Sequence, residues 1–227
     1  MGPHANSWSA TMKQVAKDLW ETEPEYPAPG LQTHAYLYAH PAGNVLFYNT
    51  SHDDELSAFA DHGGVHRQYL SHRDEVGASL AVIRTRFNSQ LCGHQRELED
   101  IQKYCPVDVV LAQRELHPRD IEILPTPGHT PGSTCFWVRS PTGDRYLFTG
   151  DTLYFDEGGQ GRNGFLPSMS DREALIESLH FLRTLSPDLV ISSAFGAGGG
   201  YRRFEDALSW QGCVDEALAP LQDGAVD

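Results

Sequence analysis

The chain has 227 residues, enough for one large domain or two small ones with a buried core. Its 40% hydrophobic and 21% charged residues are ordinary globular usage and argue against extensive disorder. The 31 acidic and 17 basic residues give a formal net charge of −14, and no Lys/Arg run builds a basic patch, so phosphate backbones and anionic lipid are disfavoured as partners. No apolar run is long enough to span a bilayer, and residues 1–10 lack the basic and apolar regions of a secretory signal. Cys92, Cys105, Cys135 and Cys213 form no C-x-x-C pair and lie in apolar segments, as expected of reduced core thiols in a cytoplasmic protein.

In chain order, the first thirty residues predict a weak helical stretch that ends in the breakers Pro24, Pro27, Pro29 and Gly30. They are expected to form an N-terminal extension, residues 1–30, to a single domain over 31–227. Residues 34–38 and 44–48 predict a strand pair joined by Pro41-Ala42-Gly43. Asp53-Asp54-Glu55 opens a helix that Gly63-Gly64 closes. A strand over 65–70, a helix over 79–87, a short strand over 90–92, a helix over 95–104 and a strand over 107–112 follow. Strands are predicted over 121–124, 133–138 and 145–149, and then a Gly-rich loop over 156–164. Ser170 is expected to cap a helix over 171–185, with Glu173 completing a capping box. A buried strand over 188–192 and a closing helix over 204–221 complete an α/β or α+β alternation.

Three segments place polar side chains where a strand runs out, which is where sites gather. In Leu70-Ser71-His72-Arg73-Asp74-Glu75-Val76-Gly77, His72 and Asp74 are two apart, and in extended backbone they point to one side and converge on a cation. In Pro125-Thr126-Pro127-Gly128-His129-Thr130-Pro131-Gly132-Ser133, two prolines within the loop and two glycines hold His129 on a stiff support. In Leu147-Phe148-Thr149-Gly150-Asp151, an apolar strand ends in a glycine that permits close approach and a carboxylate. Each alone also fits an ordinary polar turn.

Together they resemble the metallo-β-lactamase superfamily, whose pattern is T/S-H-x-H-x-D-H, then G-H-T-x-G-S, then G-D, then a last histidine. His129 follows His72 by 57 residues and Asp151 follows His129 by 22, in the family's order. The resemblance runs over about residues 33–200. It implies an αββα sandwich of two mixed sheets with helices outside and a metal site at one edge.

The pattern also breaks. His72 takes the motif's first histidine and Asp74 its second, while Val76 and Gly77 fall on its Asp-His pair. Phe195 stands where the last histidine is expected, and Asn49 where the family often has an aspartate. The resemblance therefore implies one metal, bound by His72, Asp74 and His129 with Asp151 as a further or bridging ligand. Two imidazoles with carboxylate suit zinc with an open position, and also iron(II). Asp151 or Glu75 is expected to orient or deprotonate the attacking water. His94, at the end of a strand, is a further candidate ligand, a substrate contact or a surface residue. His52, His62, His66 and His117 lack motif support and are expected at the surface.

The leading functional expectation is a hydrolase of a small ester, thioester or lactone-like substrate that uses one metal-activated water. Two alternatives stand beside it: a binding or regulatory protein that kept the scaffold without catalysis, and a mononuclear iron redox protein. No G-x-G-x-x-G fingerprint supports a dinucleotide. Substrate specificity is expected from the loops over 156–167 and 196–203, and no oligomeric state is specified.

Overall fold

The computed structural model describes residues 12–196 and 199–223. The expectation on residues 1–10 lies outside them.

Alternating apolar side chains build two sheets that share one core. The first sheet orders its strands Lys13–Ala16, Leu19–Glu21, Tyr36–Tyr38, Val45–Phe47, Arg67–Tyr69, Gln90–His94 and Val109–Leu111. The first four are joined antiparallel, and the rest continue in parallel. The second sheet runs Glu115–His117, Ile121–Pro125, Thr134–Arg139, Arg145–Gly150, Leu189–Ser192 and Tyr201–Arg203. It is antiparallel except where Arg145–Gly150 meets Leu189–Ser192.

Phe47, Tyr69, Phe136 and Phe148 fill the space between the sheets, and the rings of Phe47 and Phe148 stack with centroids 3.8 Å apart. On the outer face of the second sheet, Leu147 and Val190 pack against Leu175, Leu179 and Trp210 of the helices Arg172–Arg183 and Ala207–Gln222. On the outer face of the first, Leu37 and Leu46 pack against Leu56, Phe59 and Ile83 of the helices Glu55–Asp61 and Ser79–Phe87. The result is the expected four-layer αββα sandwich.

Several local expectations are corrected. The stretch expected to be helical within the first thirty residues forms strands instead. Leu19 and Glu21 are buried while Trp20 between them is only half-buried, a period of two that overrides weak helical propensity. Because Lys13–Ala16 and Leu19–Glu21 are hydrogen-bonded into the first sheet, this part of the presumed extension is integral to the sandwich. The helix Arg172–Arg183 is capped by Asp171, whose side chain accepts from the Ala174 N–H. Ser170 instead donates to the His129 carbonyl, so the expected capping box is not formed there. The region over 95–104 shortens to a 3-10 turn, Gln95–Glu97, and one helical turn, Leu98–Ile101.

A small hairpin, Glu25–Ala28 with Leu31–Thr33, pairs with Ala194–Phe195 beside the ends of both large sheets. Tyr48 joins the sheets at that end. Its hydroxyl donates to the Ile191 carbonyl at 2.8 Å and accepts the Gly150 N–H at 3.0 Å. Its backbone is left-handed, at φ 69°, an uncommon state for an aromatic residue.

Candidate metal centre

The chemistry-bearing residues all follow strand ends at one edge of the sandwich. His72 follows Arg67–Tyr69, His129 follows Ile121–Pro125, and Asp151 follows Arg145–Gly150. His72 itself is extended, at φ −164° and ψ 176°. The residues after it are not: Arg73–Glu75 form one 3-10 turn. That turn, and not strand alternation, brings Asp74 back beside His72 and points Arg73 away to Glu97 and Asp100.

Two glycines are dictated by close approach. Gly128 sits at φ +145°, and a Cβ there would collide with the backbone of Leu175. Gly150 sits at φ +53°, and a Cβ there would collide with Ser71, the residue before His72. The Gly-Asp segment is thus what lets the His72 loop lie against the Asp151 strand.

Each imidazole is oriented from behind. His129 Nδ1 lies 2.5 Å from the Gly164 carbonyl, which only an N–H can satisfy, so Nε2 carries the lone pair. His72 Nδ1 lies 2.8 Å from Ser71 Oγ, which in turn donates to Glu75. The Glu75 carboxylate is also 3.3 Å from that Nδ1. Asp151 Oδ1 accepts from Ser193 Oγ at 2.5 Å, which leaves Oδ2 free.

The free atoms face one another. His72 Nε2 is 3.5 Å from Asp151 Oδ2 and 3.9 Å from Asp74 Oδ2. His129 Nε2 is 3.5 Å from Asp74 Oδ2 and 3.8 Å from Asp151 Oδ2. The ligand atoms of His72, Asp74 and His129 all lie within 4.8 Å of one another. No other group of three such side chains does so among the described residues.

A divalent cation fits this set, and one observation tests the fit. His129 Nε2 is buried and has no hydrogen-bond partner among the described residues. A buried unpaired nitrogen costs free energy that a coordinated ion would offset.

The electrostatics agree. Burial pulls the His72 imidazole down, but Asp151 and Glu75 outweigh it and hold it well above its ordinary value. The His129 imidazole, 3.5 Å away, holds the Asp74 carboxyl below the usual carboxylate range, against burial and with help from His72. Burial pushes Asp151 up, and the two imidazoles and Ser193 more than reverse that. His72, Asp74 and Asp151 hold charge here by mutual contact, and a cation bound between the two carboxylates would take the place of the His72 proton.

Not every expected residue points at the centre. Glu75, expected as a candidate base, lies behind His72 at Nδ1, so its contacts make it a positioning residue. His94 is buried, but its Nδ1 accepts from the Arg96 N–H and it does not join the cluster. Asn49 accepts from Gln68 and Ser79 and donates to the Glu75 carbonyl, a structural knot. Phe195 is buried and stacks on His34, with centroids 4.9 Å apart and 10° between planes. Val76, Gly77 and Phe195 offer no ligand atoms. His52 and His117 are half-buried, and His62 and His66 are exposed.

The partners Ser71, Gly164 and Ser193 were not singled out from the sequence. Ser193 had a signal, its place just after a buried strand, while Gly164 lies 35 residues from His129 and had none. Above the centre opens a cavity of about 920 Å³. Asp156, Glu157 and residues 163–166 line it, as expected for the first loop, and so does the hairpin over 25–33, which was not foreseen. Of the second loop, Gly196 lines it, while Tyr201–Arg203 is a strand of the second sheet.

A family model of the metallo-beta-lactamase superfamily matches residues 51–194, more than half of the chain. The chain belongs to the metallo-β-lactamase superfamily. The hydroxyacylglutathione hydrolase of Anaeromyxobacter dehalogenans is 34% identical over 147 residues, which cover 61% of this chain and 53% of that protein. The chain thus spans about half the length of that curated relative. A metallo-β-lactamase from Pontibacter korlensis aligns with a TM-score of 0.72 over 93% of this chain and 98% of that one, at 15% identity, a likeness of fold. The crystal structure of TTHA1623 in a di-iron-bound form aligns at 25% identity with a TM-score of 0.62, over 79% of this chain and 93% of that one. Among the described residues no helix is long and apolar enough to cross a membrane.

Proposed function

We propose that this protein is a metal-dependent hydrolase of a small ester, thioester or lactone-like substrate. It would hold one divalent ion on His72, Asp74 and His129, with Asp151 beside them. The observation that carries the reading is the convergence of His72, Asp74 and His129 ligand atoms, with Asp151 Oδ2 3.5 and 3.8 Å from the two imidazole nitrogens and His129 Nε2 otherwise unpartnered among the described residues. The relative named hydroxyacylglutathione hydrolase supports thioester chemistry. When bound, the ion would polarise the scissile carbonyl and lower the pKa of a water.

The chain's own residues do the rest. Ser71, Glu75 and Gly164 fix both imidazoles with Nε2 toward the cavity. Ser193 anchors Asp151 through Oδ1, so that Oδ2 is left to orient the attacking water and accept its proton. Zinc is the ion we favour for this donor set, and iron(II) is also compatible. Four free, buried cysteines fit a reducing compartment and support a cytoplasmic location. The acidic composition supports a small-molecule substrate over nucleic acid or a membrane surface.

The test is elemental analysis of the wild type beside His129→Ala after mild dialysis, followed by thioester and lactone hydrolysis assays. We expect about one equivalent of zinc or iron in the wild type, lost in the variant together with hydrolysis. Absence of metal in both, with no uptake on titration, would leave the non-catalytic scaffold as the better account. Iron with oxygen consumption and no hydrolysis would favour the redox alternative.

A further inference from the structure

The charged side chains that line the cleft above the centre, apart from histidines, are all acidic. Besides Asp74, Glu75 and Asp151, the carboxylates of Glu25, Asp53, Asp156 and Glu157 line it, and no lysine or arginine does. The cations nearest by contact are spoken for: Arg162 is paired with Asp156 at 2.7 Å, and Arg73 with Glu97 and Asp100. Residues 1–11, 197–198 and 224–227 contain no lysine or arginine either, so none of these segments can bring one in. A divalent ion would be matched in charge by Asp74 and Asp151. Glu25, Asp53 and Glu157 then remain as net negative charge on the walls.

His34 is the second observation. It is 8% exposed, lines the same cleft and stacks on Phe195, and its Nδ1 has no partner among the described residues. Burial lowers its imidazole toward the neutral form. A neutral imidazole brings no positive charge to the cleft wall. It therefore cannot replace the guanidinium or ammonium with which proteins hold carboxylates.

We propose that this cleft selects acyl substrates whose leaving group is cationic, accepts neutral ones less well, and turns away those bearing net negative charge. The proposal rests on the hydrolase reading above and narrows its substrate class. A glutathione thioester carries two carboxylates against one ammonium, so it would enter a cleft of like charge with no cation to receive it. The substrate of the curated relative would then be a poor one here.

The experiment uses the metal-loaded protein and three thioesters with the same acetyl group: acetylthiocholine, S-acetyl-N-acetylcysteamine and S-acetylglutathione. Released thiol is followed, and each kcat/KM is divided by that ester's rate with hydroxide to remove leaving-group reactivity. We expect the order cationic, neutral, anionic, with steps of about tenfold at low salt that shrink as salt rises. The double variant Asp53→Lys with Glu157→Lys is expected to move the ratio of anionic to cationic turnover up at least about tenfold. S-acetylglutathione turned over as well as the others, or a ratio unmoved by the double variant, would overturn the proposal. If none of the three is hydrolysed, the hydrolase reading fails. Calorimetric binding of thiocholine, N-acetylcysteamine and glutathione then tests selectivity alone. Tightest binding of thiocholine would support the charge argument, and tightest binding of glutathione would refute it.

Discussion

Two halves of the same edge have been built differently. On one side, His72, Asp74 and His129 turn free donor atoms to a common point with Asp151 Oδ2 facing both imidazoles, and three of the four are braced from behind by Ser71 with Glu75, by Gly164 and by Ser193. On the other, the positions where the family resemblance leads one to look for ligands hold Val76, Gly77 and Phe195. They serve packing instead: Phe195 stacks on His34, and Asn49 nearby knots Gln68, Ser79 and the Glu75 carbonyl together. The difference teaches that a ligand set is recognised by its supports. Orienting hydrogen bonds at Nδ1 are what a coordinating imidazole needs, and His72 and His129 each have one while their Nε2 atoms face the same two carboxylates.

The comparison breaks most sharply at His129. His129→Ala is expected to empty the centre and lower hydrolysis by at least about a hundredfold, with the fold unchanged by circular dichroism. Unchanged metal content in that variant would mean that the two sides do not differ in the way described. A converse change rebuilds the other side. Val76→Asp, Gly77→His and Phe195→His together are expected to raise metal stoichiometry from about one toward two equivalents. The change is feasible at Gly77, where a Cβ would meet nothing nearer than Asn49 Nδ2 at 3.5 Å. Stoichiometry that stays at one would show that backbone placement, and not side-chain identity, closes that half.

Smaller effects grade the supports. Glu75→Gln keeps the shape but weakens the charge behind His72, and is expected to reduce metal affinity by about 10- to 100-fold in a chelator competition. Unchanged metal affinity with hydrolysis lost would instead return Glu75 to the role of catalytic base. Asn49→Ala removes three hydrogen bonds from the packed side and is expected to cost about 1–3 kcal/mol in denaturant unfolding while leaving metal stoichiometry intact. Loss of metal in that variant would tie the two sides together.

Much of this was legible from the sequence, for reasons that differ by residue. His129 and Asp151 could be found because Pro and Gly fix the loop around one and end the strand before the other, constraints that are local. The pairing of His72 with Asp74 was anticipated, but its cause was not. A 3-10 turn follows the strand, and the period-2 argument reached a correct neighbour by a wrong backbone. The strands at Lys13–Ala16 and Leu19–Glu21 were hidden because short segments between turns carry too few positions to show a period, and their identity is decided by pairing with Tyr36–Tyr38. The partners Gly164 and Ser193 depend on contacts tens of residues apart, which no local pattern records.

Tyr48 carries one further consequence. The centre draws His72 and Asp74 from the first sheet and His129 and Asp151 from the second, and the Tyr48 hydroxyl is fastened across the same junction to Ile191 and Gly150. A metal gripped there would act as a removable staple between two layers that at that edge are also tied by Tyr48 and by the Thr134 N–H to Ser71 carbonyl bond. Assembly of the centre is therefore a late event in folding, since no pair of its residues from opposite sheets can meet before the layers dock. The left-handed backbone at Tyr48 is a strain that persists only while both layers are in place. Residue 48 thus works as a latch whose closure and the completion of the metal site are the same act.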